Sequence, residues 1–148
     1  MKTRSKVLLG LLLLLLAASF WAWRYGPGWL VQFNAQQQQA RTASEAEGHG
    51  FGRQSDQQGC LDRALTDFNA CSGYDCTLQQ DFFLKACLEE AAPSAGFCDG
   101  VPAYREQPSE DDKTWARHRC WDLDIRGEGC RLLLRQQQYW CGGGVAAE

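Results

Sequence analysis

The chain has few of the residues and motifs on which common enzyme chemistry depends. It contains two histidines, His49 and His118, and its eight cysteines nowhere form a Cys-x-x-Cys pair. Without such pairs or grouped histidines, the sequence offers no ligand set for zinc, no thioredoxin-like centre and no c-type haem attachment site. It also lacks a Gly-x-Ser-x-Gly motif and a phosphate-binding loop. We therefore expect no bound metal and no cofactor.

Excess positive charge is missing from the C-terminal part of the chain. From Arg53 onward there are sixteen acidic and ten basic residues. A nucleic-acid-binding domain needs a basic surface to neutralise phosphates. The acidic balance therefore predicts that nucleic acid is not a partner.

One long apolar run is present, and it predicts a membrane segment. Residues 7–23 (Val7 to Trp23) carry no charge and are rich in leucine, and three basic residues precede them at Lys2, Arg4 and Lys6. Under the positive-inside rule, residues 1–6 are a cytoplasmic basic segment. Residues 7–23 are then a transmembrane signal anchor in the inner membrane or, alternatively, a cleaved signal peptide.

The composition of residues 24–54 predicts an interfacial aromatic segment followed by a flexible tether. Aromatic residues cluster at the outer end of the apolar run: Trp21, Trp23, Tyr25 and Trp29. Such rings favour the membrane–water interface. Four glutamines and a glycine-rich stretch follow, with too little apolar content to fold alone.

Four cysteines in mirror register predict an antiparallel helical hairpin over residues 55–93. Ten residues separate Cys60 from Cys71, ten separate Cys76 from Cys87, and four lie between the two pairs. Eleven positions are close to three helical turns, so both cysteines of each helix lie on one face. With a turn at residues 72–75, this register predicts the disulfides Cys60–Cys87 and Cys71–Cys76.

The same four cysteines resemble those of the twin CX9C (coiled-coil-helix-coiled-coil-helix) family. Members of that family are helical hairpins stapled by two disulfides. The resemblance covers residues 60–87, and the spacers in this chain have ten residues instead of nine. It implies a fold and no particular function.

A second helical hairpin is predicted over residues 109–141. Ser109 is a typical N-cap residue, because its side chain can accept a hydrogen bond from a free backbone N–H. The three acidic residues that follow it favour the first turn of a helix. The fourth helix, near residues 128–141, again has cysteines eleven positions apart. The register predicts the pair Cys120–Cys130. Cys98, in a Pro- and Gly-containing loop at residues 94–108, is then left to pair with Cys141.

These patterns together predict an all-α fold: two tandem disulfide-stapled antiparallel helical hairpins after an N-terminal transmembrane helix. Residues 142–148 are expected to form a disordered tail. A chain this short buries a small core and often needs covalent support. So many cysteines also indicate an oxidising compartment.

The second hairpin contains more aromatic and basic side chains than two short helices need for packing. The resulting interface candidates are Trp115, Trp121, Tyr139, Trp140, Arg117, Arg131 and Arg135. Two interpretations remain open for the charged residues. They form either a solvated, salt-bridged surface or a docking face for an acidic partner.

His118 is the one candidate for a catalytic group, and Asp122 lies one helical turn further on. A histidine on a disulfide-bearing helix is similar to the arrangement in secreted phospholipase A2 enzymes. In that family an aspartate follows the histidine directly, whereas Arg119 follows His118 here. The alternative is an exposed histidine within a charged run, and we assign no catalytic residue.

The expected function is a non-enzymatic, membrane-anchored, periplasmic module that binds an envelope protein or assists in the envelope. Two alternatives stay open. One is a small envelope hydrolase that uses His118. The other is a mitochondrial intermembrane-space protein with a helical hairpin, which has the same topology.

Overall fold

The computed structural model describes residues 2–71 and 73–144, apart from the side chains of residues 2–5 and of Pro27. The helices are α1 (Lys2–Gly52), α2 (Gln57–Ala70), α3 (Tyr74–Glu90), α4 (Glu110–Asp122) and α5 (Glu128–Cys141). Within these residues, β-structure is limited to one isolated bridge, between Asp56 and Ala92. The prediction of an all-α fold with disulfide-stapled helices is confirmed.

The chain divides into two compact units, one up to Gln39 and one from Ala40 onward. In the first unit, Lys6–Gly26 is a 21-residue stretch of α1 that is long and apolar enough to cross a membrane. At 1.5 Å per residue it spans about 30 Å, the thickness of the hydrocarbon core of a bilayer. This stretch contains the predicted segment at residues 7–23.

The prediction of a flexible tether is wrong for residues 34–52. They are helical, and α1 ends at Gly52. The apolar content of this segment is low, but alanine, glutamine, glutamate and arginine are good helix formers. From Ala40 onward, α1 also belongs to the second unit, where it packs against other helices.

Two glycines one turn apart bring α1 into close contact with α3. Gly48 and Gly52 are buried. A Cβ at Gly48 would lie 2.4 Å from the Phe83 carbonyl oxygen, and one at Gly52 would lie 2.4 Å from that of Cys87. The ring of Phe51 packs on that of Phe83, with centroids 5.9 Å apart. A larger residue at either glycine would push the two helices apart.

The α2–α3 hairpin is closed at both ends by disulfides. Cys60–Cys87 has a Cα–Cα distance of 5.8 Å, and Cys71–Cys76 has one of 6.2 Å. The turn is shorter than predicted, since α3 begins at Tyr74. Gly73, with φ of 99°, precedes it in a backbone conformation that favours glycine. Ser72, in the predicted turn, lies outside the described residues.

The α4–α5 hairpin carries the other two disulfides. Cys120–Cys130 joins the two helices, and Cys98–Cys141 ties the loop before α4 to the end of α5. All four disulfides are therefore the pairs that the sequence predicts. Ser109 caps α4 in a capping box with Asp112.

The loop between α3 and α4 is held against the folded unit. The side chain of Phe97 is 2% exposed, and its carbonyl accepts a 2.7 Å hydrogen bond from Gln137 Nε2.

Residues 145–148 of the predicted disordered tail lie outside the described residues.

The two hairpins share one hydrophobic core. Buried side chains from both belong to a single cluster, to which α5 contributes Leu133 and Leu134. Helix α5 lies against α2 and α3 as well as α4. Its first turn approaches α2 closely because Gly129 has no side chain: a Cβ there would lie 2.3 Å from the Phe68 ring. The hairpins therefore stabilise each other.

Gly48→Ala tests the contact between α1 and α3. The added methyl group would meet a backbone oxygen, so we expect the free energy of unfolding to fall by roughly 1–3 kcal/mol. Gly50→Ala is the matched control, because a Cβ at Gly50 has no neighbour within 4 Å. It should stabilise the helix by up to about 1 kcal/mol. Chemical denaturation of both variants in detergent measures the difference. Equal stabilities would contradict the close packing.

Candidate functional site

Three of the four aromatic residues predicted at an interface are partly buried. Trp115 and Trp140 pack against the core. Tyr139 is half-buried and meets Tyr104 edge-on, with ring centroids 5.1 Å apart. Trp121 remains 56% exposed, so it is the member of this set that is open to solvent.

Two of the three predicted interface arginines share one cleft, and the third lies elsewhere. Arg117 and Arg131 both line a cleft of about 270 Å³, together with Trp121. Arg131 also forms an ion pair with Glu128. Arg135 has its guanidinium 5.2 Å from the centre of the Tyr104 ring, and it is not among the residues of that cleft.

The structure does not assemble a catalytic pair at His118. Its ring is exposed and lies edge-on to Trp121, with centroids 5.3 Å apart. Among the described residues no hydrogen bond or ion pair joins His118 to Asp122. The geometry thus shows no carboxylate that orients the imidazole.

No group of three or more histidine, cysteine or acidic side chains comes together as a metal site within residues 2–71 and 73–144. All eight cysteines are in disulfides. Helix α3 and helix α5 instead border the feature that most resembles a binding site.

This feature, which we call the α3–α5 cleft, has a volume of about 460 Å³. Its lining combines three tyrosines, two leucines and several polar side chains: Tyr74, Leu78, Tyr104, Leu132, Tyr139, Thr77, Asp81, Lys85, Arg135 and Gln136. Aromatic and apolar walls with a few polar groups are typical of ligand and peptide sites.

A second cleft of about 640 Å³ continues the first toward the turn between α2 and α3. The two share Tyr74, Thr77 and Leu132. Tyr74 is 74% exposed and Leu132 is 49% exposed. Together the clefts form one surface with two large solvent-exposed side chains at its middle.

Asp81 is the acidic residue of the α3–α5 cleft. Gln136 Nε2 donates a 2.8 Å hydrogen bond to its Oδ1 atom, which joins α3 to α5. Burial raises the pKa of the Asp81 carboxyl above its usual value, against the opposing effects of the Gln136 hydrogen bond and the positive charge of Lys85. A carboxylate with a raised pKa in a cleft is a candidate for function.

Arg135 holds the loop before α4 at the edge of this cleft. Its Nη2 atom donates to the carbonyl oxygens of Arg105 and Glu106, at 3.1 and 3.4 Å. The same guanidinium stacks on Tyr104. These contacts fix the position of the ring that forms one wall.

Sequence reasoning identified Tyr139 and Arg135 but missed Tyr74, Asp81 and Leu132. The exposure of Leu132 could have been predicted, since it lies off the helix face that the buried Leu133, Leu134 and Gln137 form at three- and four-residue spacing. Asp81 gave no such signal, because an acid one turn before a lysine is usual on a solvated helix.

Comparisons of the chain with protein-family models, with curated proteins and with solved structures find no match. The resemblance to the twin CX9C family therefore rests on the cysteine pattern alone and is not confirmed.

Asp81→Asn tests whether the ionised Asp81 carboxylate lowers the stability of the folded state. A group whose pKa is raised by folding binds its proton more tightly in the folded state, so its contribution falls as pH rises above the unfolded value of about 3.9. We therefore expect the variant to be more stable than the wild type at pH 7 and equal to it below pH 4. Denaturation curves at both pH values measure this.

Asp112→Asn is a control of opposite sign. Ser109 N and Arg105 Nη1 donate to this carboxylate at 2.8 and 2.9 Å, and they lower its pKa. Its stabilising effect is present above the unfolded pKa and is lost as pH falls through the folded one. This variant should be less stable than the wild type at pH 7. A loss of stability in both variants at pH 7 would contradict the assignment for Asp81.

Proposed function

We propose that this protein is a non-enzymatic, membrane-anchored module of the periplasm that binds an envelope protein at the α3–α5 cleft. The observation that carries the proposal is the open surface around Tyr74 and Leu132, two large side chains that the fold leaves exposed. Tyrosine is enriched at the centres of protein interfaces, and Leu132 adds apolar area beside it.

The form of the cleft supports a protein partner. It is open along its length and continues into the second cleft, so it suits a segment of chain better than an enclosed small molecule. Asp81, Gln136 and Lys85 place hydrogen-bonding groups beside the apolar side chains. Such mixed surfaces give a docked segment both area and orientation.

The membrane location is supported by Lys6–Gly26, which is long and apolar enough to cross a bilayer. The basic residues before it favour a cytoplasmic N-terminus. Four disulfides in the second unit favour an oxidising compartment for that unit. The bacterial periplasm satisfies both conditions.

Reporter fusions test the topology. A reporter that is active in the periplasm, fused after Glu148, should be active, because the basic N-terminus keeps residues 1–6 in the cytoplasm. A reporter that is active in the cytoplasm should be silent at the same position. The reverse pattern would contradict the proposed location.

Photo-crosslinking tests the docking surface. A benzophenone amino acid in place of Tyr74 or Leu132, in intact cells, should capture one defined partner. The same group in place of Glu89, an exposed residue of α3 outside the clefts, should not capture it. Leu132→Asp should abolish capture from position 74. Capture of the same partner from Trp121 alone would move the interface to another face and contradict the proposal.

A further inference from the structure

We propose that the α3–α5 cleft receives a basic side chain, a lysine or an arginine, from the docked segment of the partner. This inference rests on the proposed function and specifies its chemistry. It follows from the carboxylate at Asp81, from the tyrosines around it and from the charge of the hairpin to which it belongs.

The Asp81 carboxylate has one oxygen engaged and one available. Gln136 donates to Oδ1, whereas Oδ2 accepts no hydrogen bond from the part of the chain that the structure describes. The group is partly removed from water and this raises its pKa. A cation that binds at Oδ2 would restore a charged partner to a carboxylate that burial disfavours. Charge-assisted bonds of this kind are stronger than bonds between neutral groups.

The tyrosines supply a second source of affinity for a cation. Tyr74, Tyr104 and Tyr139 all line the cleft. Cations bind to the faces of such rings, and Arg135 already does so on Tyr104 within the cleft. Tyr74 is the most exposed of these rings, at 74%. A lysine or arginine in the cleft can thus place its charged end between a ring face and the Asp81 carboxylate.

The charge of the first hairpin favours the same partner. Residues 55–93 contain seven acidic and two basic residues. The net negative potential attracts a basic segment and repels an acidic one. Charge complementarity therefore agrees with the local geometry at Asp81.

Two basic residues of the cleft do not oppose this inference. Arg135 is engaged with two carbonyl oxygens and a ring. Lys85, one turn from Asp81, is exposed, so its ammonium group can turn to solvent at little cost when another cation arrives. In the free protein Lys85 lowers the pKa of Asp81, which is the effect that an incoming cation would strengthen.

The test uses the full-length protein in nanodiscs and three probes that differ at one side chain. They are the Nα-acetyl methylamides of lysine, norleucine and glutamate, with binding followed by NMR. We expect the lysine probe to bind at least about tenfold more tightly than the other two, as a charge-assisted bond requires. Asp81→Asn should remove this preference, and Glu89→Gln, which removes a charge from the same helix, should keep it.

A second pair of variants does not depend on Asp81. Tyr74 is so exposed that its replacement should leave the fold intact. Tyr74→Leu should weaken binding of the lysine probe by roughly two- to fivefold, whereas Tyr74→Phe, which keeps the ring, should not. Equal affinity for lysine and norleucine, a preference for glutamate, or equal losses in Asp81→Asn and Glu89→Gln would each overturn the inference. None of these results would alter the crosslinking test, which reports on docking itself.

Discussion

Disulfides at both ends of α3 and α5 are the constraint on which the rest of the second unit depends. Cys76 and Cys87 hold α3, and Cys130 and Cys141 hold α5, in each case eleven positions apart. A unit of this size buries a small core, and closing its loops limits the unfolded chain. The partners of these bridges lie on α2, on α4 and in the loop before α4. The disulfides thus close each hairpin separately, and the common core holds the two hairpins together.

The two helices held in this way are also the two walls of the α3–α5 cleft. Each wall is tied at both ends, and walls held in this way would limit the conformational entropy that a docked segment loses. The inner side of both walls packs into the core, and the outer side leaves Tyr74 and Leu132 in solvent. Asp81 sits between these sides, where burial raises its pKa. The fold therefore keeps in the cleft an acidic group whose charged form disfavours folding, which is a common property of functional sites.

The contact between α1 and α3 enlarges the folded unit beyond its cysteines. Phe51 adds a ring next to Phe83, and His49 Nδ1 lies 3.4 Å from Glu90 Oε1. Arg41 contacts the face of Phe82, at 4.9 Å from its centre. Because Gly48 and Gly52 allow backbones to approach, a segment with little apolar content gains enough contacts to be part of the fold. The second unit accordingly begins at Ala40, fifteen residues before the first predicted hairpin.

The sequence alone determined the features that depend on local periodicity and spacing. The register of Cys60, Cys71, Cys76 and Cys87 predicts two antiparallel helices, because the period of a helix is known. Ser109 predicts the start of α4, because its side chain caps a free backbone N–H. The apolar run within Lys6–Gly26 is recognisable by its length. Each of these signals acts over a few helical turns.

Only the tertiary structure decided which surfaces meet. Gly48 and Gly52 resemble tether glycines until a carbonyl of α3 lies beside each of them. Asp81 resembles a solvated acid until α5 covers it and Gln136 bonds to it. Tyr104 joins the cleft because Arg135 holds a distant loop in place. These effects come from residues far apart in the chain, and their strength depends on the distance between side chains in space, which no local pattern encodes.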